Sequence, residues 1–551
     1  RLGRCSERRR LESTDGGIRF TPGDPVQAGD ALAFVHARTA TNGAAAGRWS
    51  SNASAGACSA ARAPPIRSQD AAMNDPPPTS SRAARRCGAI LLLIGVLLRL
   101  HGLEVHSMWF DETASLAIAV ADDPIAALRE DRHPPLFLLL LRAWRALVGE
   151  GDTALRLLPA LIGIGSLLGT SVVAHRLLPR PAALLATSLF AVAPFQIWYA
   201  QDLRMYPLLE FGAVLALLGA TGTGPLAARS ALLAGGAAVA MGSHYFGFLV
   251  PPLCAPFVWQ GWNRRSACLV LAPLAGCAAW TPWLVTVLPV QMQTKWGFHA
   301  KFGARDLLEL PGRWFVVLGA NMPAWLPIAI AGLVVSGMAA AAALALLRDR
   351  AARVLLASLA LAALAVGFEF VVLPAVLTPY YAIAASPVAT LLVAHGFAGW
   401  LSVRTRSGGL LGIVLAGLGI GLAVACLSGT LILRGQNLKD DVRGATADLA
   451  RAWAPGDAVV AVTGTPELFS QACLRHYLRD QPGPLAAVRD LHELLAALER
   501  GERPVARVQV LWRARPYALP DLGRLRAVAR EVHTGALREA GLQHRTFEVG
   551  R

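Results

Sequence analysis

The chain has 551 residues, of which 54% are hydrophobic and 16% charged, with a formal net charge of +16 and a mean hydropathy of +0.45. Soluble domains carry about 25% charged residues, so a string of soluble domains of ~150 residues each is excluded for most of this length, and much of the chain belongs in lipid. A sequence pI near 10.3 raises nucleic-acid binding in a soluble protein, but here the basic residues are largely arginines of the leader, the inner loops and the C-terminal region. Those of the membrane region report orientation, and no nucleic-acid partner is expected.

In chain order, residues 1–72 precede the first methionine, Met73. They lack helical or alternating periodicity and the apolar core of a signal peptide, and read as a disordered leader outside the functional protein. Residues 73–87 form a cytoplasmic segment in which Arg82, Arg85 and Arg86 anchor a first inward-facing span. Apolar runs of spanning length then recur near 88–103, 154–175, 182–199, 204–220, 228–245, 246–262, 267–290, 323–347, 352–374, 380–401 and 409–434. The run 135–148 has the length of a re-entrant or interfacial helix as much as of a span. The spacing therefore predicts an α-helical polytopic domain over 88–435 with eleven crossings, or twelve or thirteen.

With the N-terminus cytoplasmic, inner loops receive Arg176, Arg180, Arg229, Arg264, Arg265, Arg348, Arg350, Arg353, Arg404 and Arg406. That is the positive-inside bias, and it places a multi-pass protein in the cell's inner membrane. The opposite face receives the loop 104–134, the turns at Gln201-Asp202 and Ser243-His244, the loop 291–322, the turn 378–381 and the region 436–551. That last region alternates helical (438–453, 466–479, 520–540) and strand-like segments (Ala458–Val462, Ala506–Trp512, Thr546–Val549), as a small α/β domain does, without a phosphate loop or catalytic triad. Eight cysteines form no CxxC pair and no Cys/His metal spacing.

Candidate chemistry gathers on that outer face. The first loop contains His106-Ser-Met-Trp-Phe-Asp111-Glu112-Thr-Ala-Ser115 and runs on to His133-Pro134-Pro135. Adjacent carboxylates at the mouth of a span are costly unless a cation or polar cavity receives them; alternatively, Asp111 N-caps a short helix beginning at Glu112. Asp202 and Arg204, in Gln201-Asp202-Leu-Arg204-Met-Tyr206, read either as a local ion pair, as lipid-directed snorkelling of Arg204, or as part of a site. His244 sits in a turn that needs only small polar residues, and Lys295 and Lys301 flank Trp296 as either site cations or interfacial anchors. Only Lys439 is a third lysine in this arginine-rich chain. The shared face of these groups favours a site.

Over residues 88–435 the sequence resembles the GT-C membrane glycosyltransferases of the glycosyltransferase 39 and 83 type, which include bacterial protein O-mannosyltransferase-like and lipid A aminoarabinose transferase-like enzymes. The resemblance rests on Trp109-Phe110-Asp111-Glu112 with Ser115, on His133-Pro134-Pro135-Leu136, on Leu155-Arg156-Leu157 and on Arg204-Met205-Tyr206. It implies inverting transfer of a sugar from a polyprenyl-phosphate donor to a protein, lipid or glycan acceptor outside the membrane. Asp111 is then the catalytic base, and Glu112 positions the acceptor or helps to hold a divalent metal. Arg204, Tyr206, His244, Lys295 and Tyr381 become candidates for the donor phosphate, while His133 and Asp202 position the loops. Relatives often carry an Arg-Tyr pair where this chain reads Thr378-Pro379-Tyr380-Tyr381, which passes the phosphate contact to another cation. The rival from a different class is a polytopic transporter or lipid-linked sugar flippase, which should show ionisable groups at the midplane of broken helices and internal repeats; a structural partner in an envelope assembly is a third reading.

Overall fold

The structure, a computed structural model, describes residues 78–293, 310–317, 322–372, 380–403, 406–436, 439, 441–462, 474–479, 491–502, 505–513, 522–534 and 542–549. The leader 1–72, Lys295, Lys301 and Trp296 lie outside the described residues.

Over the described residues the apolar runs fold as helical segments, though not all as single rods. Among the described residues, six helices are long and apolar enough to cross a membrane: Asp152–Leu177, Leu226–Ser243, Trp325–Leu346, Arg350–Phe368, Tyr381–Ser402 and Gly409–Arg434. A seventh span forms if Arg180–Val192 and Pro194–Ala200 count as one, bent by 51°. The bend has a local cause: Pro194 lacks an N–H and its ring clashes with the preceding turn, so Ala193 takes an extended conformation and a new helix begins. The remaining runs are shorter or more charged. Pro78–Leu100 carries Arg82, Arg85, Arg86 and Arg99; 246–262 becomes Tyr245–Leu249 plus Val250–Val258; and 267–290 divides into Arg264–Ala278, Thr281–Thr286 and Leu288–Gln293. Leu136–Val148 has 13 residues, about 20 Å of helix at 1.5 Å per residue, too short for a ~30 Å hydrocarbon core.

Lipid-facing and bundle-facing surfaces follow the sequence. On Arg406–Arg434 the residues Leu410, Ile413, Ile420, Val424 and Leu431 are exposed, as suits apolar side chains dissolved in lipid. Where helices touch closely, small residues permit it: a Cβ on Gly212 would lie 2.6 Å from Ala240 N and Gly236 O, so Tyr206–Thr221 and Leu226–Ser243 meet backbone to backbone. In a bilayer a buried charge must find its partners within the protein: Arg99 Nη1 donates to Gly95 O (3.0 Å) and Ala191 O (3.2 Å), and its Nη2 to Phe190 O (2.9 Å), while its buried Nε has no hydrogen-bond partner among the described residues.

The C-terminal region contains a four-stranded sheet in the order β1-β2-β4-β3, with β1 Ala458–Val462, β2 Arg507–Arg513, β3 Ala529–Thr534 and β4 Leu542–Val549. β1 pairs with β2 in parallel, whereas β2–β4 and β3–β4 are antiparallel. Alternation along the strands splits the core in two, since successive side chains face opposite sides. Ala458, Val460, Val508, Val510 and Phe547 pack against Leu494, Leu495 and Leu525; Val459 and Leu511 pack against Val442, Ala445, Leu449, Leu474 and Leu478. One expectation is corrected here. The single helix over 520–540 is instead Leu522–Val528 followed directly by β3, because Ala529–Thr534 finds β4 as a hydrogen-bonded partner that local propensity does not register.

Candidate active site

The loop 104–134 folds over one end of the bundle as two short helices, Phe110–Val120 and Pro124–Glu130. Asp111 is the second residue of the first helix, whose N-cap position belongs to Trp109, so the reading of Asp111 as an N-cap is replaced. Glu112 turns back to accept from Trp109 N at 3.3 Å.

Glu112 is fully buried at the centre of a charge cluster that sequence reasoning did not assemble. Arg156, one turn into the helix Asp152–Leu177, donates to it from Nε to Oε1 (2.8 Å) and from Nη2 to Oε2 (2.6 Å). The same guanidinium satisfies the loop carbonyls of Leu103 (2.8 Å), His106 (2.6 Å) and Ser107 (3.0 Å). Leu203 N donates to Glu112 Oε1 at 3.0 Å. Lys439 Nζ lies 2.8 Å from Glu112 Oε2 and 2.8 Å from Asp202 Oδ1, and Trp109 Nε1 donates to that same Asp202 oxygen at 3.1 Å. Burial alone would raise the Glu112 pKa; the charges of Arg156 and Lys439 and their hydrogen bonds outweigh it and hold it at about 2. Asp202 is pushed up, first by burial and then by Glu112, with Lys439 opposing. Thus Glu112 and Asp202 tie the first loop to the Arg204 turn and to the C-terminal region. Both Glu112 oxygens and Asp202 Oδ1 are engaged by cations, and no group of three or more His, Cys, Asp or Glu side chains among the described residues could hold a metal ion.

Arg204 follows directly from that turn. Its Nη1 donates to Asp111 O (3.0 Å) and Ser115 Oγ (3.0 Å), which locates the guanidinium beside the Asp111 helix. Its buried Nε has no hydrogen-bond partner among the described residues. Burial would lower its pKa, but Asp111, then Tyr206, Asp131 and Asp202, raise it, so it stays charged. Arg204 also lines a small cavity with Ser115, Asp131 and His133. His133 Nδ1 is 3.2 Å from Asp131 Oδ2, and burial, with Arg204 assisting and Asp131 opposing, lowers the His133 pKa.

The tyrosines and His244 complete the wall. Ring centroids are 5.6 Å apart for His133–His244, 4.7 Å for His244–Tyr381, 5.0 Å for Tyr206–Tyr380 and 5.2 Å for Tyr199–Tyr206. Burial, reinforced by His133 and Arg204, holds the His244 pKa well below the ordinary imidazole value. Its Nδ1 accepts from Phe246 N at 3.1 Å, which leaves the proton of the neutral ring on Nε2.

The fold therefore brings together Asp111, Arg204, Tyr206, His244, Tyr381 and His133, and sets Glu112 and Asp202 behind them as loop ties; Lys295 lies outside the described residues. Sequence reasoning missed Lys439 as a partner, although its rarity in an arginine-rich chain was a signal. It assigned no role to Arg156 and none to Asp131 or Tyr199.

No protein-family model and no curated protein matches the sequence. Among solved structures, the chain is similar to ArnT from Cupriavidus metallidurans in the apo state, at 15% identity and a TM-score of 0.54, with 85% of this chain and 98% of that one covered. The likeness extends to the same protein bound to undecaprenyl phosphate (15% identity, TM-score 0.49, 86% and 98% covered). It extends more loosely to the S. cerevisiae protein O-mannosyltransferase Pmt1-Pmt2 complex bound to the sugar donor (17%, 0.31, 44% and 37%). The fold assignment rests on the first of these: the chain shares the fold of that ArnT structure.

Proposed function

We propose that the chain is a glycosyltransferase that moves a sugar from a polyprenyl-phosphate donor to an acceptor at the outer face of the cytoplasmic membrane, with inversion and with Asp111 as general base. The observation that carries the reading is the placement of Arg204, a buried permanent cation with one N–H unpartnered among the described residues, beside the Asp111 helix on a GT-C fold.

An acceptor hydroxyl becomes a competent nucleophile when a positioned carboxylate removes its proton in the transition state. Asp111 takes that proton; the acceptor oxygen bonds to the anomeric carbon from the face opposite the phosphate; and the bond from that carbon to the phosphate oxygen breaks, releasing polyprenyl phosphate. Charge develops on the departing phosphate, and donors aimed there lower the barrier. Arg204 supplies a fixed cation with fork geometry, while neutral His244 supplies Nε2–H as a donor rather than charge. Tyr206 and Tyr381 offer hydroxyls on the same wall. Glu112 acts through the loop it holds, as a positioning residue.

The test is incubation of purified protein with lipids extracted alongside it, followed by mass spectrometry of lipid and acceptor fractions. Loss of the sugar from polyprenyl phosphate and its appearance on an acceptor supports the reading. Movement of intact lipid-linked sugar across vesicle membranes without bond cleavage would replace it with a flippase. Reporter fusions after residues 150, 202 and 436 test the sidedness, and a cytoplasmic signal at 202 would refute the outer-face site.

A further inference from the structure

The two loops that form the proposed site belong to distant parts of the chain, yet one side chain from beyond the membrane domain joins them. Lys439 Nζ is 2.8 Å from both Glu112 Oε2 and Asp202 Oδ1 and only 5% exposed. Its ammonium also lies 5.3 Å from the Trp198 ring centroid and 5.9 Å from that of Trp109, within range of cation–π attraction. Glu112 is the immediate neighbour of Asp111, and Asp202 is two residues from Arg204. Both halves of the site are therefore tethered to a cation at the entrance of the C-terminal domain.

We infer that Lys439 is a positioning residue, and that docking of the C-terminal domain through it sets the spacing between Asp111 and Arg204. Lys439 is the cation in direct contact with both carboxylates. Without it, Asp202 keeps the Trp109 Nε1 donor and the more distant charges of Arg156 and Arg204, but loses its own ion pair beside another buried anion. Repulsion and desolvation then drive the loops apart, take up a proton, or admit water.

Further contacts hold the domain to the same loop. Met108 N donates to Tyr477 OH at 2.6 Å and Ser107 Oγ to Asp441 Oδ1 at 3.2 Å. At the head of the helix Asp152–Leu177, Asp152 meets Arg443 (2.6 Å), His476 (2.7 Å) and Tyr477 (2.8 Å). These seat the domain against the first loop and that helix, whereas Lys439 reaches both loops of the site.

This inference rests on the glycosyltransferase reading for its kinetic arm and is independent of it for its structural arm. Full-length K439M and K439M/D202N are compared with wild type in detergent, for sugar transfer and for protease cleavage between the membrane and C-terminal domains. K439M should lower kcat by at least about tenfold, as misplacement of reacting groups does, with little change in KM for the donor lipid, and should expose the junction to protease. The double variant K439M/D202N removes the orphaned charge while its amide oxygen still accepts from Trp109, and should recover much of both losses; a packing role alone gives no such rescue. Wild-type kcat or unchanged cleavage in K439M, or failure of D202N to restore either, overturns the inference. If wild type transfers no sugar, the function proposal fails and the protease arm alone decides whether Lys439 latches the domain.

Discussion

Arg156 and Glu112 form a bidentate ion pair, 2.8 Å from Nε to Oε1 and 2.6 Å from Nη2 to Oε2, with side-chain exposures of 2% and 0%. Removing one member of such a pair strands the other in a low-dielectric interior, which costs about 3–5 kcal/mol. Glu112→Ala should therefore lower thermal stability and activity together, because it also releases Leu203 N and Trp109 N. Thermal unfolding in detergent reads this directly, and an unshifted melting curve would contradict the structural role.

Asp111 occupies a different position from its neighbour. Among the described residues no hydrogen bond to its carboxylate supports the fold, whereas its backbone carbonyl receives Arg204 and Ser115. Asp111→Asn should leave folding and insertion unchanged and reduce turnover about 10²–10⁴-fold, the contribution of general-base catalysis. Retained transfer by purified protein would remove Asp111 as the base.

Arg204→Lys keeps the charge but loses the planar fork that reaches Asp111 O and Ser115 Oγ while presenting Nε. Charged hydrogen bonds contribute about 1.5–3 kcal/mol each, so affinity for a polyprenyl phosphate should fall about 10- to 100-fold. Titration of the purified variant with that lipid measures the change. Equal affinity for wild type and variant would exclude Arg204 as the phosphate contact.

His244 links stability to pH. An unfolded imidazole titrates near about 6.5, and in the fold burial, His133 and Arg204 hold His244 well below that. Between those values the unfolded chain binds the proton and the folded chain does not, so this contribution is complete above pH ~6.5 and is lost as pH falls below it. His133 is lowered as well and acts in the same direction. His244→Gln should flatten the decline in thermal stability between about pH 7.5 and 5.5, the window around the free imidazole value; matching slopes in both proteins would refute the assignment.

Much of the membrane architecture is legible from residue order because lipid selects on a local property. A run such as Trp325–Leu346 declares itself by hydropathy alone, whatever its neighbours. The run 182–199 reads as one span, and the break at Pro194 that delivers the Gln201–Met205 turn appears only in the fold. The C-terminal strands are legible by alternation except β3, which exists only by pairing with β4.

The site divides along the same line. Sequence by itself determined that carboxylates, an arginine, tyrosines and a histidine stand at helix ends, and that the bulk of the chain is a polytopic helical bundle. Only the tertiary structure decided which of those charges lie beside one another as a candidate site and which neutralise one another. Asp111 and Glu112 are adjacent and chemically alike, but helical geometry separates their directions, leaving one beside Arg204 and burying the other against Arg156 and Lys439. Those partners lie 44 and 327 positions away; pairing over such distances depends on where the chain returns, and burial then makes the pairing obligatory. Within the membrane region the positive charge reads as a signal of orientation, whereas one lysine, Lys439, takes part in assembly.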